Sequence, residues 1–156
     1  MTFISIENLT TRYNTSKGLV HALEDVTFAI DKGESIGIAG ESACGKSTLG
    51  LSIIQMISNG KIYSGKIQFD GKSLLDVPDD EFNKTIRWKE ISMVFQGAMN
   101  SLDPVFSIQQ QFEEVLKQHN FEGDSKQSIL QSLNSVNLDE SVLKKFPHEL
   151  SGGMKQ

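Results

Sequence analysis

Apolar residues recur at two different periods along this chain of 156 residues, and the change of period divides it. The first third reads as extended structure. Phe3, Ile4 and Ile6 open one strand, and Ala22, Val26, Phe28 and Ile30 fall at even spacing in a second over 20–30. Asp31-Lys32-Gly33-Glu34 is a turn. Ser35-Ile36-Gly37-Ile38-Ala39 is short and almost uncharged, which predicts a strand buried on both faces. A glycine-containing loop then leads into residues 46–57, where Leu49, Ile53, Ile54 and Ile57 recur at helical spacing.

Beyond Gly60 the extended pattern returns. Lys66-Ile67-Gln68-Phe69 runs into Asp70-Gly71, a strong hairpin signal, before Lys72-Ser73-Leu74. Pro78-Asp79-Asp80-Glu81 has the proline and acidic residues of a first helical turn, and predicts a short helix toward Trp88. Ile91-Ser92-Met93-Val94-Phe95 predicts another buried strand. After Pro104 the period becomes helical. Ile108, Phe112, Val115 and Leu116 form one apolar face, and Ile129, Leu130, Leu133 and Val136 form another across the loop 121–124. Val142, Leu143 and Phe146 predict a third short piece before Pro147. The reading is therefore two parts, residues 1–104 with the strands and the glycine loop, and residues 105–156 all helical.

Composition narrows the class. With 38% apolar and 22% charged residues the chain is a soluble globular domain with a core, too short for two ordinary domains. Fifteen basic against twenty acidic residues give a formal charge of −5, which argues against a nucleic-acid binder with a broad basic face. A single cysteine, Cys44, allows neither an internal disulfide nor a cysteine zinc cluster. The first residues lack the basic and apolar runs of a signal peptide, and no run approaches a membrane span. The expectation is a cytosolic domain, or a piece of one.

Gly40-Glu41-Ser42-Ala43-Cys44-Gly45-Lys46-Ser47 matches the phosphate-loop pattern G-x-x-x-x-G-K-[ST], with Thr48 following. The chemistry needs that spacing. A strand delivers the chain to a tight loop whose glycines let successive N–H groups turn inward as an anion nest. The helix starting near Lys46 points its electropositive end at the same spot. The Lys46 ammonium then reaches the β- and γ-phosphates, and the Ser47 hydroxyl can ligate Mg²⁺. The loop follows an apolar stretch and opens an apolar-faced helix, so it reads as a nucleotide-phosphate site rather than a glycine turn beside a surface lysine. Near the other end, Leu150-Ser151-Gly152-Gly153-Met154-Lys155-Gln156 by itself reads equally as a glycine linker or as a second anion site, with Ser151 capping a helix.

Taken in order, the phosphate loop, Met93-Val94-Phe95-Gln96, the helical stretch and Leu150-Ser151-Gly152-Gly153 resemble the nucleotide-binding subunit of an ABC transporter over the whole chain. Thr11-Arg12-Tyr13, Val20-His21-Ala22-Leu23-Glu24-Asp25-Val26, Gly40-Glu41-Ser42, the run from Phe95 to Val105 and Phe146-Pro147-His148-Glu149 are similar to the dipeptide, oligopeptide and nickel importer ATPases. The chain departs from that group at Gly97-Ala98, where an acidic residue and proline are usual, and at Cys44, where glycine or serine is commoner. The resemblance implies an α/β fold: a P-loop NTPase core with an N-terminal antiparallel β subdomain and an α-helical subdomain, the chain ending inside the signature motif and before the Walker B strand. It implies ATP and Mg²⁺ as cofactors.

The resemblance also assigns roles. Tyr13 stacks on adenine, the alternative being a core aromatic of the sheet. Gly40, Glu41, Ser42, Ala43, Cys44, Gly45, Lys46, Ser47 and Thr48 hold the phosphates, with Lys46 and Gln96 catalytic and Ser47 and Gln96 at the metal. Ser151, Gly152 and Gly153 act in trans, closing over the γ-phosphate of a second ABC ATPase subunit packed head to tail. The helical part docks on transmembrane permease subunits, with a solute-binding protein as an indirect partner and no nucleic acid, on the cytoplasmic face of the membrane. His21, His119 and His148 show no carboxylate or cysteine cluster around them and are read as structural or exposed.

In this family the acidic strand for Mg²⁺, the glutamate that polarises water and the switch histidine all follow the signature. The 156 residues alone are expected to be marginally stable or oligomeric, with apolar edges exposed, and to bind nucleotide without turnover. Two other readings are a truncated nucleotide-binding module that senses rather than pumps, and a soluble ABC-type ATPase. A P-loop kinase would share residues 40–47 but has no use for residues 150–153.

Overall fold

The computed structural model describes residues 1–95 and 97–156, which form two compact units, Met1–Met93 and Val94–Gln156. In the first unit, β1 (Thr2–Thr15) pairs antiparallel with β2 (Gly18–Asp31) on one side and with β3 (Gly60–Phe69) on the other. A short β4 (Lys72–Ser73) completes a four-stranded sheet in the order β2-β1-β3-β4. The Asp70-Gly71 turn between β3 and β4 has φ values of 46° and 75°, the doubly left-handed geometry that matches strand twist. The β1–β3 register shifts between Glu7 and Thr10, so the bulged residues Asn8 and Leu9 lie opposite Gly65.

Helix α1 (Lys46–Ile53) buries Leu49 against the sheet in a core of Ile6, Leu9, Leu23, Ile67, Leu74 and Phe82. Phe82 comes from α2 (Asp79–Thr85), whose first turn carries Asp79, Asp80 and Glu81 and whose last carries Lys84, as the helix dipole favours. Two hydroxyls also lie in this interface with no exposure, those of Thr11 and Ser52. Ser52 donates its one proton to the Thr48 carbonyl at 2.7 Å. Thr11 must then be the donor in the 3.1 Å contact between the two hydroxyls. A buried directional pair in an apolar interface fixes how α1 is rotated against β1, because turning Ser52 away from Thr11 strands a hydroxyl without a partner.

In the second unit α3 (Ile108–Gln118), α4 (Ser125–Ser135), a 3₁₀ turn (Glu140–Lys144) and a terminal α5 (Gly152–Lys155) surround a core of Ile108, Ile129, Leu133, Val142, Leu143 and Leu150. Each of the three helices is capped by a short oxygen-bearing side chain, and only the Ser151 cap was expected from the sequence. Ser107 forms a reciprocal capping box with Gln110 on α3, Asp124 caps α4, and Ser151 accepts from the Met154 amide at 3.3 Å on α5.

Three expectations are corrected. Residues 35–39 are not a strand: they pair with no strand among the described residues, and Ile36 and Ile38 are 42% and 51% exposed. Residues 91–95 form no strand either, only a single parallel bridge between Ile91 and Arg87, and Val94 is 82% exposed. An apolar run becomes a doubly buried strand only when neighbours fill both edges and both faces, and among the described residues none stand there. Finally, α1 stops at Ile53 rather than 57, because Gln55 takes a left-handed φ of 53°. That residue turns the chain back, and its side-chain amide donates to the Leu74 carbonyl at 2.6 Å.

Candidate functional site

The glycine loop folds as its spacing requires. Its turn is closed by the Cys44 amide on the Glu41 carbonyl, and the left-handed Ala43 (φ 64°) and Gly45 (φ 97°) flank Cys44. Alternation of this kind is what curls main-chain amides into a concave nest. Gly45 is required twice over, since a Cβ there would come within 2.4 Å of the Ala22 carbonyl oxygen on β2.

Gly45 is also the N-cap of α1. It offers no side-chain acceptor, and the first turn of the helix carries no acidic residue among those described. The amides at that end are therefore left for an outside anion, reinforced by the helix dipole. Lys46 folds back over the loop. Its ammonium donates to the carbonyls of Gly40 at 2.8 Å and Glu41 at 2.6 Å and to Cys44 Sγ at 3.2 Å. A cation thus stands beside uncapped amides, with the Ser47 hydroxyl exposed next to it. This donor set fits a polyphosphate and its divalent cation, so the residues present suit MgATP.

Tyr13 lies at the end of β1, paired with Gly60 of β3, and its hydroxyl reaches Thr48 Oγ1 at 3.4 Å. The aromatic ring and the phosphate-loop helix are therefore neighbours, joined through Thr48. The structure brings together Tyr13 and the run from Gly40 to Thr48. Ser151, Gly152 and Gly153 belong to the other unit, where they start α5, and Gln96 lies outside the described residues. His21 has a partner that the sequence reading did not give it: Glu24 Oε2 lies 2.9 Å from its Nδ1. Glu24 is held below the usual carboxylate range chiefly by the hydrogen bond from Arg12. Among the described residues no group of three or more metal-ligating side chains is assembled.

The sequence reading missed Thr11 and Ser52. Their signal was the spacing of Thr48 and Ser52, four residues apart, which lets a helical hydroxyl bond back to the preceding turn. Nothing in the sequence pointed to Thr11 as its partner across 41 residues.

Cys44 carries a consequence of this geometry. The hydrogen bond from Lys46 holds the exposed thiol below its ordinary value. Alkylation by iodoacetamide should therefore proceed at pH values where a free thiol is still protonated, and MgATP should protect the thiol. Equal labelling rates with and without MgATP, or a rate profile matching free cysteine, would contradict this. Lys46→Met should move the profile back toward higher pH.

Known proteins resemble this chain over nearly its whole length. The ABC transporter family model matches residues 23–156. The oligopeptide transport ATP-binding protein AppD of Bacillus subtilis is 38% identical, with 99% of this chain covering 49% of that protein. The oligopeptide transport ATP-binding protein OppD of Haemophilus influenzae is also 38% identical, 98% of this chain covering 48% of it. The ABC transporter cassette MJ0796, solved as a dimer, superposes with a TM-score of 0.82 at 29% identity, covering 97% of this chain and 65% of that one. A post-hydrolysis state of the same cassette, bound to ADP and Pi, gives 0.78 at 27%. The chain belongs to the ABC transporter family. It spans about half the length of the relatives it matches.

Proposed function

We propose that this chain is the ATP-binding part of a subunit that couples ATP binding and hydrolysis to uptake of peptides or a similar solute. The observation that carries the reading is Lys46 folded across a loop beside the uncapped first turn of α1. The names of the relatives support the solute class. The amides of residues 40–48 and the Lys46 ammonium hold the phosphates, and the Ser47 hydroxyl and Gln96 hold Mg²⁺. Bound MgATP supplies the transferable γ-phosphoryl group. Tyr13 offers its ring face to the base, a mode that tolerates any base. Ser151, Gly152 and Gly153 serve the phosphates held by a second subunit, and the helical part, residues 105–156, docks on permease subunits. No described helix is long and apolar enough to cross a membrane, and we place the subunit peripherally on the cytoplasmic face.

On its own the 156-residue chain should bind nucleotide without turning it over. Exposed Ile36, Ile38 and Val94 favour weak stability or self-association of this form. Equilibrium dialysis with ATP and GTP, phosphate-release assays and sedimentation test the reading together. The expected result is binding of both nucleotides within about tenfold of each other, with no phosphate released above background. A folded chain that binds neither nucleotide overturns the site assignment, and a monomer with steady ATP turnover overturns the claim about the isolated chain.

A further inference from the structure

Helix α1 has the phosphate loop at one end, and what holds its other end lies in a distant part of the sequence. Its last turn contains no basic residue. Arg87, from the turn after α2, supplies the missing cation: Nε donates to the Ile54 carbonyl at 3.0 Å and Nη2 to the Gln55 carbonyl at 2.9 Å. Ile54 is the C-cap of α1 and Gln55 the residue just past it, so a guanidinium fork holds the cap and the turn that ends the helix at once.

Arg87 is itself fixed. Its guanidinium lies 5.3 Å from the centre of the fully buried Phe82 ring, and its remaining nitrogen donates to Asn83 Oδ1. The backbone around it is a tight knot, with the Arg87 amide on the Phe82 carbonyl at 2.9 Å and the Trp88 amide on the Ile91 carbonyl at 2.8 Å. Two residues past Ile91, Met93 meets the same helix at mid-length: a Cβ on Gly50 would lie 3.2 Å from its methyl group. The segment from Ile86 to Met93 therefore grips α1 at its end and at its middle.

We propose that Arg87 is a positioning residue for the phosphate loop, setting the axial position of α1 and with it the place of Lys46 and the first-turn amides. The inference rests on the reading of residues 40–48 as a phosphate site. An eight-residue helix is short and stiff, so a slide at Ile54 is a slide at Lys46. The guanidinium also neutralises the electronegative helix end, removing a repulsion on any anion bound at the other.

The test is calorimetric titration of the chain with inorganic tripolyphosphate and with MgATP, for wild type, Arg87→Gln, Arg87→Lys and the neighbouring exposed Lys89→Gln. Titrations are run well below each variant's thermal midpoint, with the far-UV spectrum confirming the fold. Arg87→Gln should weaken both ligands by a common factor of roughly ten. Arg87→Lys, which keeps the charge and loses the fork, should recover part of the loss, and Lys89→Gln should bind as wild type. A contact that merely stabilises the fold would lower the midpoint and leave both affinities unchanged, and that result overturns the proposal. Should Arg87→Gln fail to fold, Arg87→Lys decides: a loss of at least about threefold supports positioning, and wild-type affinity refutes it. If wild type binds neither ligand, the phosphate-site reading itself has failed and the inference falls with it.

Discussion

Lys46→Ala should reduce MgATP affinity by about two orders of magnitude, the size expected when a charge-assisted contact to phosphate is lost. The effect should exceed the loss of one ion pair, because the Lys46 ammonium also ties Gly40, Glu41 and Cys44 together. Its removal takes away the cation beside the first-turn amides and lets the loop carbonyls separate, so the nest should lose shape as well as charge. Arginine should not restore binding. Its planar fork is wider than an ammonium and cannot converge on two carbonyls and a thiol from one point. Titration with MgATP measures the effect, with the far-UV spectrum showing that the fold survives. Binding within threefold of wild type would remove Lys46 from the site and take the nucleotide assignment with it.

Gly65→Ala should give the largest loss of stability. Gly65 holds φ at 104°, and an added Cβ would lie 2.6 Å from the Asn8 carbonyl oxygen, 2.6 Å from Leu9 Cα and 2.7 Å from the Glu7 carbonyl oxygen. All three atoms are backbone, so no side-chain rotation relieves the contact. The β1 bulge at Asn8 and Leu9 would have to move, and Leu9 is fully buried in the core beneath it. A backbone clash at a left-handed position should cost at least about 3 kcal/mol, a large share of what a domain of this size has. Gly71→Ala provides the scale. Its φ is 75° but nothing lies within 4 Å of the added carbon, so the loss should stay near 1 kcal/mol. Urea unfolding followed by circular dichroism compares the two. Similar midpoints for both variants would show that β1 and β3 adjust at Gly65 without strain.

The sequence was most legible where the deciding interaction is local. The Asp70-Gly71 turn demands left-handed φ values that these two residues tolerate, and the structure has them. Ser151 caps α5 as expected because it carries a short oxygen-bearing side chain three residues before the amide it bonds, and Ser107 and Asp124, which were not singled out, cap α3 and α4 in the same way. The turn of the glycine loop was legible for the same reason, since its glycines and lysine act on backbone within six residues of themselves. The expected strands at 35–39 and 91–95 came from the same kind of hydrophobic reading and did not form. A strand is not a property of its own residues; it requires a partner that hydrogen-bonds its edge.

By itself the sequence determined the turn of the glycine loop, the Asp70-Gly71 hairpin, the start of α1 and the family, because each is written in short spacings whose chemistry acts within a turn or two of chain. Tertiary structure alone decided what holds that loop in place. Thr11 and Ser52 meet across 41 residues, and Arg87 reaches the Ile54 carbonyl across 33. Neither pairing has a local signature, since a buried hydroxyl or a surface-type arginine takes its role from whatever the folded sheet and helices bring to it. The same physics accounts for the exposed Ile36 and Ile38: their residue types ask for burial, but only neighbouring strands could provide it.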